Sequence, residues 1–145
     1  MEIDDLNLLA RLHLAVTAYM TGLIWFVQVV HYPLFGAVGR EEFARYERWN
    51  TRITLWVVGP PMLAELGLAL ALVVLAPGAL TGCGLVALGA VWASTWLLQV
   101  PAHRRLEQGF DHAVHARLVR TNWIRTAAWT TRVVIAVLVV GAVSG

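Results

Sequence analysis

Four long apolar stretches constrain this chain more than any other feature of its sequence. They cover about residues 12–30, 53–76, 80–100 and 126–143. Each is close to the ~20 apolar residues that an α-helix needs to cross the hydrocarbon core of a bilayer. Only 14% of the 145 residues are charged, against about a quarter in an ordinary soluble domain. We therefore predict an all-α, integral membrane four-helix bundle that forms a single domain over residues 1–145.

The basic residues predict how the four spans are oriented. All of them are Arg, and most lie in two blocks beside the apolar stretches: Arg40, Arg45, Arg48 and Arg52, then Arg104, Arg105, Arg117, Arg120 and Arg125. The positive-inside rule places both blocks in the cytoplasm and both termini outside. The composition is typical of a GC-rich bacterial genome, so we expect the bacterial inner (plasma) membrane. Topology accounts for the arginines, and we expect no nucleic-acid partner.

The two charged connections also carry apolar residues at helical spacing. These are Phe43, Tyr46 and Trp49 in the first connection, and Leu106, Phe110, Val114 and Leu118 in the second. Such a pattern is typical of amphipathic helices that lie at the membrane surface. We therefore predict one interfacial helix in each cytoplasmic connection.

Several residues recur about half a chain apart, which predicts an internal duplication. Trp25 and Gln28 match Trp96 and Gln99 at a shift of 71, His31 matches His103 at 72, and Arg52 with Trp56 matches Arg125 with Trp129 at 73. We predict two helical hairpins, over about residues 10–77 and 79–145. Their copies would be related by a pseudo-two-fold axis along the membrane normal.

Polar residues inside the spans fall on stripes that predict a shared site. Because polar groups in lipid are costly, such stripes usually face a bundle interior. The candidate residues for lining a ligand or cofactor are Gln28, Gln99, Trp25, Trp96 and Arg132. His31 and His103 could meet near the axis, where two imidazoles suit a metal ion, a haem iron or proton transfer. The alternative is that each histidine only satisfies hydrogen bonds at its own helix end.

Two opposite charges lie deep in the second and fourth spans. Glu65 and Arg132 stand at compatible depths, and either charge alone in lipid would be costly, so we predict a buried ion pair. The pair has two open interpretations, a structural link between the spans or a proton acceptor tuned by burial. A third possibility arises if the helix restarts at Pro60-Pro61. Glu65 would then join His31 and His103 as a two-histidine, one-carboxylate metal site.

Short motifs in this chain resemble a family of small four-span membrane proteins, mostly without assigned function, that includes the anthrone oxygenases. They are Gly22, Pro60-Pro61, Val100-Pro101 with Leu106, and Asn122-x-x-Arg125-Thr126. His103 differs, because the family usually has Asn there. The resemblance implies oxygenation of an activated phenolic ring. Such a reaction needs a base, for which Glu65 and His103 are candidates, and an oxyanion site, for which Arg125 and Asn122 are candidates.

Three functions are compatible with these features. The first is an oxygenase-like enzyme that acts on a hydrophobic small molecule. The second is a binding or transport module for a metal, a haem or a lipid. The third is a membrane subunit without chemistry. Membrane lipid is the expected partner in each case, and a bundle this small is compatible with homo-oligomers.

Overall fold

Four long helical segments form the bundle in the computed structural model, which describes residues 3–144. Each segment is long and apolar enough to cross a membrane, which confirms the predicted multi-pass helical fold. The α-helices are α1 (Ile3–Phe26), α2 (Tyr32–Leu34), α3 (Arg40–Leu75), α4 (Ala79–Ser94), α5 (Val100–Leu106) and α6 (His112–Ser144). We call the end that carries residues 32–39 and 107–111 the connector end. The opposite end carries residues 76–78 together with the start of α1 and the end of α6, and we call it the turn end.

Helix α3 is continuous, which corrects the expectation of a separate interfacial helix and excludes the possible restart at Pro60-Pro61. It passes through Pro60 and Pro61 without restarting, and it begins at Arg40 in the connection. Its 36 residues extend about 54 Å at 1.5 Å per residue, well beyond the ~30 Å hydrocarbon core. The apolar residues of the connection therefore belong to the first turns of a spanning helix, and no separate interfacial helix precedes the span.

The second connection also lacks a separate interfacial helix, because its C-terminal part belongs to α6, which is continuous from His112. The apolar residues of both connections pack onto the bundle instead of lying on a membrane surface. The ring centroids of Phe43 and Phe110 lie 4.8 Å apart, and Leu106 and Leu118 are fully buried. Trp49 is the exception and is exposed. The apolar stripe that predicted interfacial helices therefore faces the bundle and is not available to contact a membrane surface.

Each hairpin contains a π-helical turn just before a proline. The turns cover Val27–His31 and Thr95–Gln99, and Pro33 and Pro101 come within the next helices. A proline ring clashes with the carbonyl of residue i−4 in a regular α-helix, and the wider π turn makes room for it. π turns are frequent at functional sites, and these two present Gln28, His31 and Gln99.

Helix packing is uneven around the bundle. Helix α6 packs extensively against both α1 and α4, whereas α3 and α4 meet over a much smaller contact. The main core lies between α1, α3, α4 and α6 and includes Met20, Met62, Leu88 and Trp129. The weak contact between α3 and α4 leaves space for a cavity at this side of the bundle.

Asp111 caps the N-terminus of α6 and provides a test of this connection. Its Oδ1 accepts the amide N–H groups of Val114 (3.0 Å) and Ala113 (2.8 Å), and these bonds hold the pKa of Asp111 below its ordinary value. The stabilisation is therefore present above the ordinary aspartate pKa and is lost as the pH falls through the lowered value. We expect Asp111→Ala to lower the thermal midpoint at neutral pH and to approach the unmodified protein in acid.

Asp111→Asn is the matched control, because asparagine keeps the cap without the charge. We expect its thermal midpoint to show no acid-dependent loss from this position. A difference between Asp111→Ala and the unmodified protein that stays constant down to strongly acidic pH would contradict the assignment.

Candidate functional site

A cavity of about 540 Å³ lies among α1, α3, the α4–α5 segment and α6. Its volume falls within the roughly 300–1,000 Å³ of small-molecule sites. The deeper wall is apolar and is formed by Met20, Leu23, Ile24, Val27, Val58, Met62 and Trp129. The polar residues of the wall gather toward the connector end, where they form a connected set of hydrogen bonds.

A carboxylate, an imidazole, a phenol and a guanidinium form a chain at the polar end of the cavity. The carboxylate of Glu47 bonds Nδ1 of His103. Nε2 of His103 lies 2.9 Å from the hydroxyl of Tyr32, and Nη2 of Arg125 donates to the same hydroxyl at 3.2 Å. We call these four residues the cavity cluster. Three of them line the cavity, and Glu47 lies behind His103, fully buried.

The bonding partners define where the hydrogens of the cavity cluster lie. A carboxylate only accepts hydrogen bonds, so His103 must carry a hydrogen on Nδ1. In the neutral imidazole Nε2 is then an acceptor and takes the hydroxyl hydrogen of Tyr32. The guanidinium of Arg125 only donates, and it bonds the phenol oxygen. The arrangement therefore allows the neutral phenol of Tyr32 to pass its proton to His103, and Arg125 is placed to stabilise the negative charge that would then develop on the phenol oxygen.

His31 joins the cavity cluster through Asn50. Nδ2 of Asn50 donates to Oε2 of Glu47 at 3.1 Å, and Oδ1 of Asn50 lies 2.9 Å from Nε2 of His31. Both predicted histidines thus line one cavity, linked through Asn50 and Glu47. Because Oδ1 of Asn50 only accepts hydrogen bonds, Nε2 of His31 carries a hydrogen. The bond joins His31 to α3 and not to its own helix end.

The position of Arg125 depends on two further predicted residues. Oδ1 of Asn122 accepts from Nε of Arg125 at 2.9 Å and from Nη2 of Arg125 at 2.6 Å. Nδ2 of Asn122 donates to Oε1 of Gln28 at 2.9 Å. Asn122 and Gln28 lie outside the cavity wall. Asn122 therefore orients the guanidinium, and its amide does not face a ligand in the cavity as an oxyanion donor would.

The predicted Glu65–Arg132 ion pair is confirmed. Nε of Arg132 lies 2.9 Å from Oε1 of Glu65, and both side chains are buried. Oε1 also accepts from the hydroxyl of Thr17 at 3.0 Å, and Oε2 accepts from Nε1 of Trp129 at 2.9 Å. The guanidinium of Arg132 also bonds Nε2 of His13 and the carbonyl of Gly84. We call His13, Thr17, Glu65, Trp129 and Arg132 the Glu65 cluster.

The possible metal site of His31, His103 and Glu65 does not form. Glu65 bonds Thr17 of α1 and pairs with Arg132, which itself bonds Gly84 early in α4, so Glu65 lies toward the turn end of the continuous helix α3. Among residues 3–144, no group of three or more His, Cys, Asp or Glu side chains is arranged to hold a metal ion. A metal or haem bound through Nε2 of His103 would also require this nitrogen to give up its bond to the hydroxyl of Tyr32.

The remaining predicted site residues separate into two groups. Trp96 and Gln99 line the cavity, and Nε2 of Gln99 donates to Thr121 at 3.2 Å. Trp25 lies on the outer surface of the bundle, where it packs edge-on against Trp123 and donates to Thr130. Arg132 lines a small gap at the turn end instead of the main cavity. The stripe of the α4–α5 segment therefore supplies the cavity more than the stripe of α1 does.

Tyr32 and Glu47 are the two members of the cavity cluster that the sequence did not predict. Tyr32 stands beside His31 and is typical of a helix end, while Glu47 resembles the surface acids around it. One signal was present for Glu47, because it lies four residues after Phe43 and three before Asn50, on the apolar stripe of the connection. A buried charge on an apolar stripe is a functional candidate by itself.

Comparisons with known proteins found no relative of this chain. No family model, curated protein or solved structure matches it. The geometry of the cavity and of its cluster is therefore the basis for assigning a function.

Proposed function

We propose that this protein is a membrane enzyme that removes a proton from a hydrophobic small molecule bound in the cavity. One observation carries the proposal: a hydrogen-bonded chain from Glu47 through His103 and Tyr32 to Arg125 ends at the wall of an apolar cavity. An enzyme that forms a carbanion needs a base and a group to hold the resulting oxyanion. The cavity cluster contains both in one place.

Each residue of the cluster has a role in this reaction. The oxygen of Tyr32 accepts the proton of the ligand, or passes its own to His103 as it does so. Glu47 orients His103 and stabilises the imidazolium that results. The guanidinium of Arg125 attracts the negative charge that develops on the ligand. Asn122 and Gln28 act indirectly, because they hold Arg125 without lining the cavity.

The resemblance to anthrone oxygenases suggests the step after deprotonation. A methylene group between two aromatic rings loses a proton, and the carbanion reacts with dioxygen. In the overall balance the CH₂ group becomes a carbonyl with one oxygen atom, and the two hydrogens leave as water with the other. We propose oxygenation of this kind as the function of the cavity. His103, which replaces the usual Asn of the family, supplies the imidazole of the cluster.

We also propose that the connector end faces the bacterial cytoplasm and that both termini face outward. The support is the exposed arginines of that end, namely Arg40, Arg45, Arg48, Arg104, Arg105, Arg117 and Arg120, which obey the positive-inside rule. The duplication into two hairpins is part of the proposal too. Each hairpin has a π turn before a proline, but these turns start at Val27 and Thr95, 68 positions apart, which differs from the sequence matches.

The experiment uses the whole protein in lipid nanodiscs with a hydroxylated anthrone as substrate. Under nitrogen, we expect the methylene hydrogens to exchange with deuterated water faster than in empty nanodiscs. In air, we expect dioxygen uptake equal to the ketone formed. Binding of the anthrone without accelerated exchange would contradict an enzyme and favour a binding module.

Tyr32→Phe tests the assignment of the proton acceptor. Phenylalanine keeps the ring and removes the oxygen, so we expect exchange to fall by about 10²-fold or more. His112→Ala is the control, because His112 is exposed and lies outside the cavity. Equal losses in the two variants would contradict the role of Tyr32.

A further inference from the structure

Arg125 is a buried cation that lacks a carboxylate partner. Its side chain is only 6% exposed, and within residues 3–144 its contacts are the neutral groups Asn122, Tyr32 and Thr95. The other buried arginine, Arg132, is compensated by Glu65. An uncompensated buried charge is costly. Because Arg125 lines the cavity, an anion bound there would compensate it.

The apolar part of the cavity reaches the surface of the bundle between α3 and α4. Its wall includes Leu55 and Leu63 on α3 and Trp96 on the π turn after α4. These side chains are 67%, 62% and 58% exposed, respectively. They are large and apolar on segments that span the membrane, so their exposed surfaces face acyl chains. The gap between α3 and α4 is therefore a path from the bilayer into the cavity.

Polar contacts close the cavity toward the connector end. The hydroxyl of Thr51 on α3 donates to Oε1 of Glu107 at 2.7 Å. Nη1 of Arg48 donates to the backbone carbonyl of Glu107 at 3.0 Å. Both bonds join α3 to the end of α5, directly beside the polar wall. A ligand that came from the aqueous side would have to break them, whereas a ligand from the bilayer would not.

We propose that the cavity takes an acidic amphiphile, a phenol or a carboxylic acid, directly from the bilayer. The ionised oxygen lies against Arg125, and the apolar body extends through the gap between α3 and α4. This inference rests on the site of the proposed function and names its class of substrate. It does not depend on turnover, because binding alone would satisfy the charge of Arg125.

The experiment measures photolabelling by palmitic acid that carries a diazirine in mid-chain, with the protein in nanodiscs. The matched probe is hexadecanol with the same diazirine. Labelling is read at Met20 and Met62, which line the cavity and are buried, so only a chain inside the cavity reaches them. Val74 and Val86 are exposed and report ordinary lipid contact. We expect the acid to label the cavity methionines about tenfold more than the alcohol, and both probes to label the valines equally.

Two pairs of variants separate the charge from the cavity. Arg125→Gln should remove the preference for the acid, and Arg125→Lys should retain it. Val58→Phe should exclude the probe, because Val58 lines the cavity, whereas Val57→Phe should not, because Val57 faces outward on the same helix. The comparison of Val58→Phe with Val57→Phe still tests whether the probe enters the cavity if Arg125→Gln fails to fold.

Three results would overturn the inference. The first is equal labelling of the methionines by acid and alcohol, which would show that the cavity has no preference for an anionic ligand. The second is equal labelling in Val58→Phe and Val57→Phe. The third is strong labelling of Met20 and Met62 by a short, water-soluble diazirine acid, which would show filling from water. Labelling as expected together with no hydrogen exchange would instead contradict only the proposed enzymatic function.

Discussion

Replacing Arg132 with Met is expected to destabilise the protein by about 3–5 kcal/mol, the usual cost of removing one partner from a buried ion pair. The carboxylate of Glu65 would remain fully buried with hydrogen bonds but without a positive charge. The measurement is equilibrium unfolding in mixed micelles of dodecyl maltoside and dodecyl sulfate. The effect is large because the Glu65 cluster joins all four long helices.

The contacts of the cluster explain this reach. Glu65 of α3 accepts hydrogen bonds from Thr17 of α1 and from Trp129 of α6. Arg132 of α6 donates to the backbone of Gly84 on α4. Loss of the guanidinium therefore removes the contact to α4 and leaves the charge of Glu65 on α3 without its partner. A single substitution therefore weakens contacts among all four long helices.

The control is the double variant Glu65→Leu with Arg132→Met. Because both charges are gone, we expect stability close to that of the unmodified protein. Normal hydrogen exchange on the anthrone in this double variant would assign the pair a structural role. Normal stability with lost exchange would instead show that the pair supports the reaction, by holding Trp129, whose Nε1 donates to Glu65 and whose ring lines the cavity. A loss below about 1 kcal/mol in Arg132→Met alone would contradict a buried, desolvated pair.

The ion pair was predictable because the depth of each charge follows from counting residues along its helix. Depth along a helix fixes which charges in neighbouring spans can meet, and the cost of an unpaired charge in lipid requires that they do. The same reasoning does not reach His13 or Thr17, because neutral polar groups carry no comparable penalty. Their positions depend on how α1 rotates against α3, which the packing of the whole bundle determines.

The cavity cluster was only half predictable for a related reason. His103 and Arg125 stand out as polar residues at the edge of apolar spans. Tyr32 does not, because a tyrosine near a membrane surface is ordinary. Glu47 was hidden by the assumption that the first connection is a separate surface helix. Once α3 continues through Pro60, the first turns of α3 pack on the bundle and Glu47 faces inward.

The continuity of α3 shows where sequence rules lose force. Pro60 removes the amide that would bond the carbonyl of Trp56, and Pro61 does the same for Val57, so a break is the usual expectation. Within a membrane, a break would leave further amide and carbonyl groups without water to bond them. The helix therefore continues, at the cost of two missing bonds. The lipid environment outweighs the local preference of the two prolines.

The second large effect is expected for His103 and its partner Glu47. His103→Ala should lower kcat/KM for hydrogen exchange by about 10²–10⁴-fold, the range for loss of a general base. Glu47→Ala should cause a substantial part of that loss with little change in KM, because Glu47 does not line the cavity. Glu47 is a positioning residue, since its effect on the ligand passes through Nδ1 of His103.

A double-mutant cycle tests this dependence. If Glu47 acts only through His103, then Glu47→Ala should cost almost nothing in a protein that already carries His103→Ala. Glu42→Gln is the matched control, because Glu42 is an exposed acid on the same helix, paired with Arg45. Nitrogen NMR of His103 gives a second readout, since Glu47→Ala should convert one tautomer into a mixture. Losses that multiply fully in the double variant, with an unchanged tautomer, would show that Glu47 acts independently of the imidazole. The chain from Glu47 to Tyr32 would then stabilise the connector end without moving a proton.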